Sequence, residues 1–256
     1  MVIVHKSARK IPPGPPADHP VRNRILGALL ATEYKQLLPK LEHVTLTRGE
    51  VVYRADQEIE DVYFPEEAVV AMVDSMDNGS TVEVGIIGSE GIVGINVVLG
   101  GVVTPDRAIV QLTGGAMRMK SKGLRKEMRF GSPLQRLLLA YARTFLAVIS
   151  QSVACCQYHT IEQRLARWLL TMNDYAGARE FLMDQKSIAL MLGVRREGIT
   201  EAASKLQAAA LISYRRGHIR VLDGPRLAKR ACECYRFIKQ QYRHLNGELP
   251  RLLPRK

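Results

Sequence analysis

Residues 184–222 read DQKSIALMLGVRREGITEAASKLQAAALISYRRGHIRVL, and this stretch decides the fold. Asp184 to Leu192 has a polar start and an apolar middle. That pattern predicts a short helix whose first orphan amides are capped by an oxygen of Asp184 or Ser187. Gly193 supplies the turn, because a tight helix-to-helix connection favours a residue that tolerates positive φ. From Arg195 to Ala209 a second helix is predicted, with Ile199, Ala202, Ala203 and Leu206 on one face and Arg196, Glu197, Thr200, Glu201 and Ser204 on the other. The apolar face seats the helix on its domain. The other face, led by Arg195 and Arg196, carries what a DNA major groove can read: Arg donates two hydrogen bonds to guanine, Glu accepts from cytosine, and Thr meets a thymine methyl. After Leu211 and Ile212, the run Ser213 to Val221 alternates around Gly217 and predicts a basic β-hairpin wing. Its Arg215 and Arg216 would lie against phosphates, which positions a protein on DNA without specifying sequence.

The charge of the chain points the same way. Of the formal net charge of +12, residues 161–256 carry nearly all, with 19 Lys and Arg against 9 Asp and Glu, while residues 21–160 hold 15 of each. A polyanion partner suits that asymmetry, because neutralised phosphates release counterions and drive association.

Working back toward the N-terminus, residues 1–20 contain Pro12, Pro13, Pro15, Pro16 and Pro20 with scattered basic residues and are expected to form a flexible arm. From Val44 to Met119 the texture is one of short β-branched runs: Val44–Leu46, Glu50–Tyr53, Val69–Val73, Thr81–Ile87, Ala108–Leu112 and Ala116–Met119. Gly49, Asp77-Asn78-Gly79, Gly88 and Gly114-Gly115 punctuate them, so a small antiparallel barrel is expected over 21–131. Residues 132–160 predict one long helix, with Leu134, Leu138, Tyr141, Phe145, Val148, Ser152 and Cys155 spaced as a coiled-coil seam for dimerisation. Residues 161–223 form the winged helix-turn-helix, and 224–256 a C-terminal helical extension with Tyr235, Ile238 and Tyr242. The fold class is therefore α+β: an antiparallel β-barrel of the double-stranded β-helix kind, a dimer helix and a winged helix-turn-helix.

That order of parts, with Leu192-Gly193-Val194-Arg195-Arg196-Glu197 and Leu206-Gln207-Ala208-Ala209-Ala210-Leu211-Ile212, resembles the Crp/Fnr family of transcription regulators over roughly residues 24–222. The resemblance implies a cyclic-nucleotide-binding-like barrel, a cytoplasmic homodimer, double-stranded DNA as partner and, for an activator, RNA polymerase. It implies base contacts by Arg196 and Glu197. A third family position, commonly Arg, is Glu201 here, which alters the expected half-site. At the effector end, members that bind cyclic AMP place a Gly-Glu pair against the ribose and a later Arg against the phosphate. In this chain Gly94 fits the Gly, but Ile95 and Asn96 follow it, and the Arg position falls on Asp106 with Arg107 beside it. Cyclic AMP is accordingly disfavoured and the effector left open. An iron–sulfur cluster as in oxygen-sensing members needs several cysteines, mostly ahead of the barrel, and residues 1–154 contain none. Haem would have only His5, His19 and His43 as axial candidates before the dimer helix.

The four cysteines, Cys155, Cys156, Cys232 and Cys234, match neither a disulfide framework nor paired zinc knuckles, and reduced thiols are expected, with no metal site. Cys155 and His159 do lie four apart on the predicted helix, a spacing that could grip a metal with a second chain's pair, and Cys155 on the seam could meet its twin. An enzyme is not expected: no P-loop, Rossmann fingerprint, nucleophile elbow or His-Glu-x-x-His run occurs, and Gly88, Gly91 and Gly94 read as barrel turns. No stretch approaches 18 to 20 uninterrupted apolar residues and no apolar signal core opens the chain, so no membrane partner is expected. A ligand-binding adaptor that docks protein, or a DNA binder with no effector, remain the alternative readings.

Overall fold

The computed structural model describes residues 21–177 and 180–253; the expected arm, with His5 and His19, lies outside them. The chain enters through α1 (Arg24–Ala28) and α2 (Ala31–Leu37). Asn23 fixes that entry: its side-chain oxygen accepts from the Ile25 and Leu26 amides, and its Nδ2 donates to Pro65 O and Gly91 O, both at 2.9 Å.

Two antiparallel sheets follow. Strands β1 (Glu42–Leu46), β2 (Val51–Tyr53), β3 (Asp61–Pro65), β4 (Val69–Ser75) and β5 (Thr81–Ile87) lead to a short helix α3 (Ile95–Val98), then to β6 (Arg107–Leu112) and β7 (Gly114–Lys120). Their orders are β1-β7-β3 and β2-β6-β4-β5. The expected antiparallel barrel of the double-stranded β-helix kind takes the form of two facing sheets, left unclosed, with no ladder joining them among the described residues. The reason lies at the corners, where the chain passes from one sheet to the other between Pro65 and Val69 and again between Leu112 and Gly114. There Gly115 O accepts from the amides of Glu66, Glu67 and Ala68, and a side chain on Gly114 would collide with the Glu67–Ala68 backbone. Gly114 and Gly115, expected as punctuation, therefore open β7 because two backbones meet there. The Asp77-Asn78-Gly79 turn does join β4 to β5, with Met76 N donating to Ser80 O at 2.8 Å.

Strand β4 shows why one sheet becomes the centre of the molecule. Its residues Val69 to Val73 are buried without interruption, so both faces are covered. Val70 and Met72 face the core shared with β1, β3 and β7, while Val69, Ala71 and Val73 face the helices of the C-terminal half. Strand β3, which the sequence reading passed over, is an edge strand pairing β7 from Asp61↔Lys120 to Pro65↔Ala116.

Helix α4 (Ser121–Glu127) leads to α5 (Pro133–Tyr158), 26 residues capped by Ser132 and opened by Pro133. By length and composition alone α5 is long and apolar enough to cross a membrane, although Arg136 and Arg143 interrupt its apolar run and many of its apolar residues pack into the chain's own core. Tyr141 and Phe145 stack with ring centroids 5.6 Å apart and fill the space left by Gly91 and Gly85. The C-terminal half comprises α6 (Ile161–Ala176), β8 (Glu180–Leu182), α7 (Gln185–Leu192), α8 (Arg196–Ala208), β9 (Ile212–Arg215), β10 (His218–Val221), α9 (Gly224–Arg230) and α10 (Cys234–Glu248). Helix α10 turns back onto the N-terminal half, burying Ile238, Tyr242 and Leu245 in the core that α5 shares with the sheets.

Candidate nucleic-acid interface

Helices α7 and α8 are built as their residues dictate. Asp184, rather than Ser187, caps α7, its Oδ1 accepting from Ser187 N at 2.8 Å and its Oδ2 from the Ser187 hydroxyl at 3.1 Å. Those bonds hold the Asp184 carboxyl below the usual carboxylate range. Gly193 ends α7 at φ 61°. A side chain there would also come within 3.1 Å of Val82, so the turn is seated on β5 as well as bent. Arg164 of α6 reaches under the turn and donates from Nη2 to Leu192 O, satisfying a helix-end carbonyl.

Helix α8 packs against α6 through Ile199, Ala202, Ala203 and Leu206, all buried. Gly198 permits the approach, since a Cβ at that position would lie 2.7 Å from Ile161 Cδ1. The opposite face is open: Arg195, Arg196, Glu197, Thr200, Glu201, Ser204 and Lys205 are exposed. Two of these are not free in the way the sequence suggested. The Thr200 hydroxyl lies 2.8 Å from Gln185 Oε1 and ties α8 to the start of α7. Glu201 Oε1 lies 2.7 Å from Lys205 Nζ one turn on, which holds the Glu201 carboxyl below its ordinary range. Gln185, Lys205 and Arg164 escaped the sequence reading, although the i,i+4 spacing of Glu201 and Lys205 carried the signal.

Strands β9 and β10 form the wing, with β8 as a third strand in the order β8-β10-β9. Arg215 pairs with His218, which leaves Arg216 and Gly217 as a two-residue turn, both at positive φ (51° and 84°). That is the backbone of a type I′ hairpin. Arg215, Arg216 and Arg220 are exposed on it.

The expected effector residues sit differently. Gly94 has φ 98° and starts α3, with Val62 closing off its Cβ position at 2.9 Å. Ile95 is buried in the core and Asn96 half-buried. Asp106 is buried and already engaged, accepting from Tyr53 Oη at 3.0 Å and from the Thr104 hydroxyl; Arg107 beside it is half-buried in β6. Elsewhere, a cavity of about 320 Å³ lies between α6 and α10, lined by Arg24, Glu90, Tyr175, Lys239, Tyr242 and Arg243. Glu90 accepts there from Tyr175 Oη at 3.0 Å, and burial raises its carboxyl above the ordinary range.

Apart from Ser152, the residues expected as a dimer seam are instead buried within the protomer itself. Leu134, Leu138, Tyr141, Phe145 and Val148 are buried against the chain's own sheets, Ser152 bonds back to Val148 O, and Cys155 is buried against Cys232 and Cys234. One step along the helix, Leu139, Leu146 and Val153 are 44%, 55% and 68% exposed at intervals of seven. Ala142, Ile149 and Cys156 alternate with them at steps of three and four. Two apolar stripes run along α5; the sequence reading took the one that serves the protomer.

A helix-turn-helix with a three-stranded wing, behind a long helix and two antiparallel sheets, defines the fold of this half as a winged helix-turn-helix. Comparison with known proteins narrows it. Residues 163–230 match the Crp-like helix-turn-helix domain. No curated protein matches the chain. Among solved structures, FixK2 from Bradyrhizobium japonicum is 19% identical with a TM-score of 0.64, covering 75% of this chain and 98% of its own. The c-di-GMP-responsive global regulator CLP from Xanthomonas campestris gives 16% and 0.61 over 75% of this chain and 99% of its own. A CRP-family transcriptional regulator from Thermus thermophilus gives 18% and 0.62 over 74% and 98%. Residues 163–230 are thus similar to the Crp-like helix-turn-helix domain, and the fold as a whole is shared with solved regulators of the Crp/Fnr family.

Proposed function

We propose that the protein is a cytoplasmic homodimer that binds a two-fold symmetric DNA site and regulates transcription without catalysing a reaction. The observation that carries this reading is the open face of α8, where Arg195, Arg196, Glu197, Thr200 and Glu201 stand exposed beside the cationic wing of Arg215 and Arg216. In it Arg196 and Glu197 read base edges, while Arg215, Arg216 and the Ser187 end of α7 meet the backbone. The exposed stripe Leu139, Leu146 and Val153 joins two copies and sets the two α8 helices about one turn of DNA apart, near 34 Å. Between α5 and α6, His159 and Thr160 are both extended, with ψ 143° and 158°, and it is at this break between the helices that we place the hinge on which the spacing turns. A buried Asp106 bonded to Tyr53 and Thr104, where cyclic-AMP binders place an Arg, supports the reading that cyclic AMP is disfavoured as the effector.

The test is selection of bound duplexes from a random pool by the purified full-length protein at near-physiological salt. Enrichment of a palindrome with half-sites one turn apart supports the reading. Retention of duplexes with no sequence enriched, repeated with cyclic nucleotides added, overturns it.

A further inference from the structure

The C-terminal ends of α5 and of the chain meet at a cluster that the DNA-binding reading leaves unused. Cys155 and His159 come from the last turn of α5; Cys232 and Cys234 flank the start of α10. Their ligand atoms all lie within 4.8 Å of one another. Cys155 Sγ is 3.5 Å from Cys232 Sγ, and Cys234 Sγ is 3.6 Å from His159 Nδ1. The three sulfurs are buried and His159 is half-buried.

Those separations have a chemical meaning. A tetrahedral zinc ion with Zn–S bonds of about 2.3 Å and a Zn–N bond of about 2.0 Å holds its ligand atoms roughly 3.5 to 3.8 Å apart. Thiolates that hold a cluster of several irons must stand further apart than this, which disfavours iron–sulfur. The surroundings also fit a metal. The second ring nitrogen of His159, Nε2, lies 3.1 Å from Glu233 Oε1, the arrangement in which a carboxylate accepts the outer N–H and fixes the tautomer that presents Nδ1. Gln151 Nε2 donates to Cys234 Sγ at 3.1 Å, as amides do to metal-bound thiolates. Arg164 approaches Cys156, not the cluster, so Cys156 stands outside the set.

We infer that Cys155, His159, Cys232 and Cys234 form a Cys3His site for a single zinc ion within one chain. The four sites supply thiolate, imidazole, thiolate and thiolate; binding displaces the thiol protons to solvent and leaves sulfur at the same oxidation state. The ion would clamp α10 to the hinge end of α5, immediately before Thr160. This corrects the notion of a metal shared between two chains, because Cys155 points into its own protomer. It also does not rest on the DNA-binding reading.

The test uses the full-length protein, purified under reducing conditions without chelator, and counts metal by native mass spectrometry. One zinc per chain is expected. Zinc removed at low pH and replaced with Co²⁺ should give the thiolate-to-cobalt charge-transfer band and the intense visible bands of a tetrahedral site. Cys232→Ser should lose the charge-transfer intensity of one thiolate and weaken zinc binding at least tenfold, whereas Cys156→Ser should match the parent. Because Cys155→Ser could unfold the hinge, the wild-type cobalt spectrum is the deciding measurement. Fewer than about 0.2 zinc per chain with an octahedral cobalt spectrum, or a Cys155–Cys232 disulfide in the reduced preparation, overturns the inference.

Discussion

The ring of Phe145 occupies the space that a side chain on Gly85 would need, with Cζ 2.6 Å from where a Cβ would stand. That relationship, with Tyr141 against Gly91, decides which stripe of α5 faces inward. Replacing Gly85 with Ala should therefore destabilise the fold by about 1–3 kcal/mol through overpacking, and Phe145→Ala by about 3–5 kcal/mol through the cavity it leaves. The double variant should be more stable than the sum of the two losses implies, because the Ala methyl then enters space the ring has vacated. Denaturant melts of the four proteins measure the cycle, and strict additivity would refute the contact.

The same geometry separates dimerisation from folding. Leu146→Glu places a charge on the exposed stripe and should give a folded monomer in sedimentation, with specific DNA affinity reduced at least a hundredfold. Phe145→Glu puts the charge in the core and should not fold. A dimeric Leu146→Glu protein would remove α5 from the interface.

How much of this was legible depends on what each signal encodes. The helix-turn-helix could be read because its requirements are local: an Asp cap at 184, a left-handed Gly193, and an apolar set at Ile199, Ala202, Ala203 and Leu206. The β runs were likewise read from β-branched residues, but closure into a barrel depends on long-range pairing that no run declares. On α5, Leu138 and Leu139 are chemically the same residue on adjacent stripes, and only Gly85 and Gly91, more than 45 positions earlier, say which one is inside. The glycine series at 88, 91 and 94 does lie at turns, Gly91 N donating to Gly88 O at 3.2 Å, but the Tyr175 ring that fills the space beside Gly88 comes from α6 and leaves no local signal. Cys155 and Cys232 are 77 residues apart, and their meeting follows from the return of α10.

The wing turn gives a prediction that keeps the backbone intact. Arg216 sits at φ 51°, a left-handed conformation that Asn adopts readily, so Arg216→Asn removes the charge without straining the hairpin. Combined with Arg215→Ala it should lower affinity for all duplexes about equally and reduce the slope of log affinity against log salt by about 2. Loss confined to one operator sequence would assign the wing a base-reading role.

On α8, Glu201→Gln frees Lys205 and removes a negative charge from the face turned to DNA. Affinity for random duplex should rise roughly three- to tenfold at low salt, and the selected half-site should change at one base pair. Arg196→Ala should do the reverse, costing about 1–3 kcal/mol on the selected site while relaxing its sequence preference. Unchanged selection by both variants would move the reading of bases away from these positions.

Glu83 of β5 carries the pH dependence. Burial against α6 raises its carboxyl from 4.5 to about 7, opposed by the hydrogen bond from Trp168 Nε1 at 3.1 Å and by the charge of Arg167. The folded protein therefore keeps a proton on Glu83 at pH values where the unfolded chain has lost it. Its contribution is fully present below about 4.5, falls as pH rises toward about 7, and is flat above that. The loss amounts to at most about 3 kcal/mol, and Glu83→Gln, which keeps an acceptor for the Trp168 indole but cannot ionise, should abolish this component. Denaturant midpoints measured across that window test it. If the parent and Glu83→Gln curves run parallel from pH 5 to pH 7, Glu83 is already ionised in the folded state, and the packing of β5 on α6 tolerates a charge that its burial argues against.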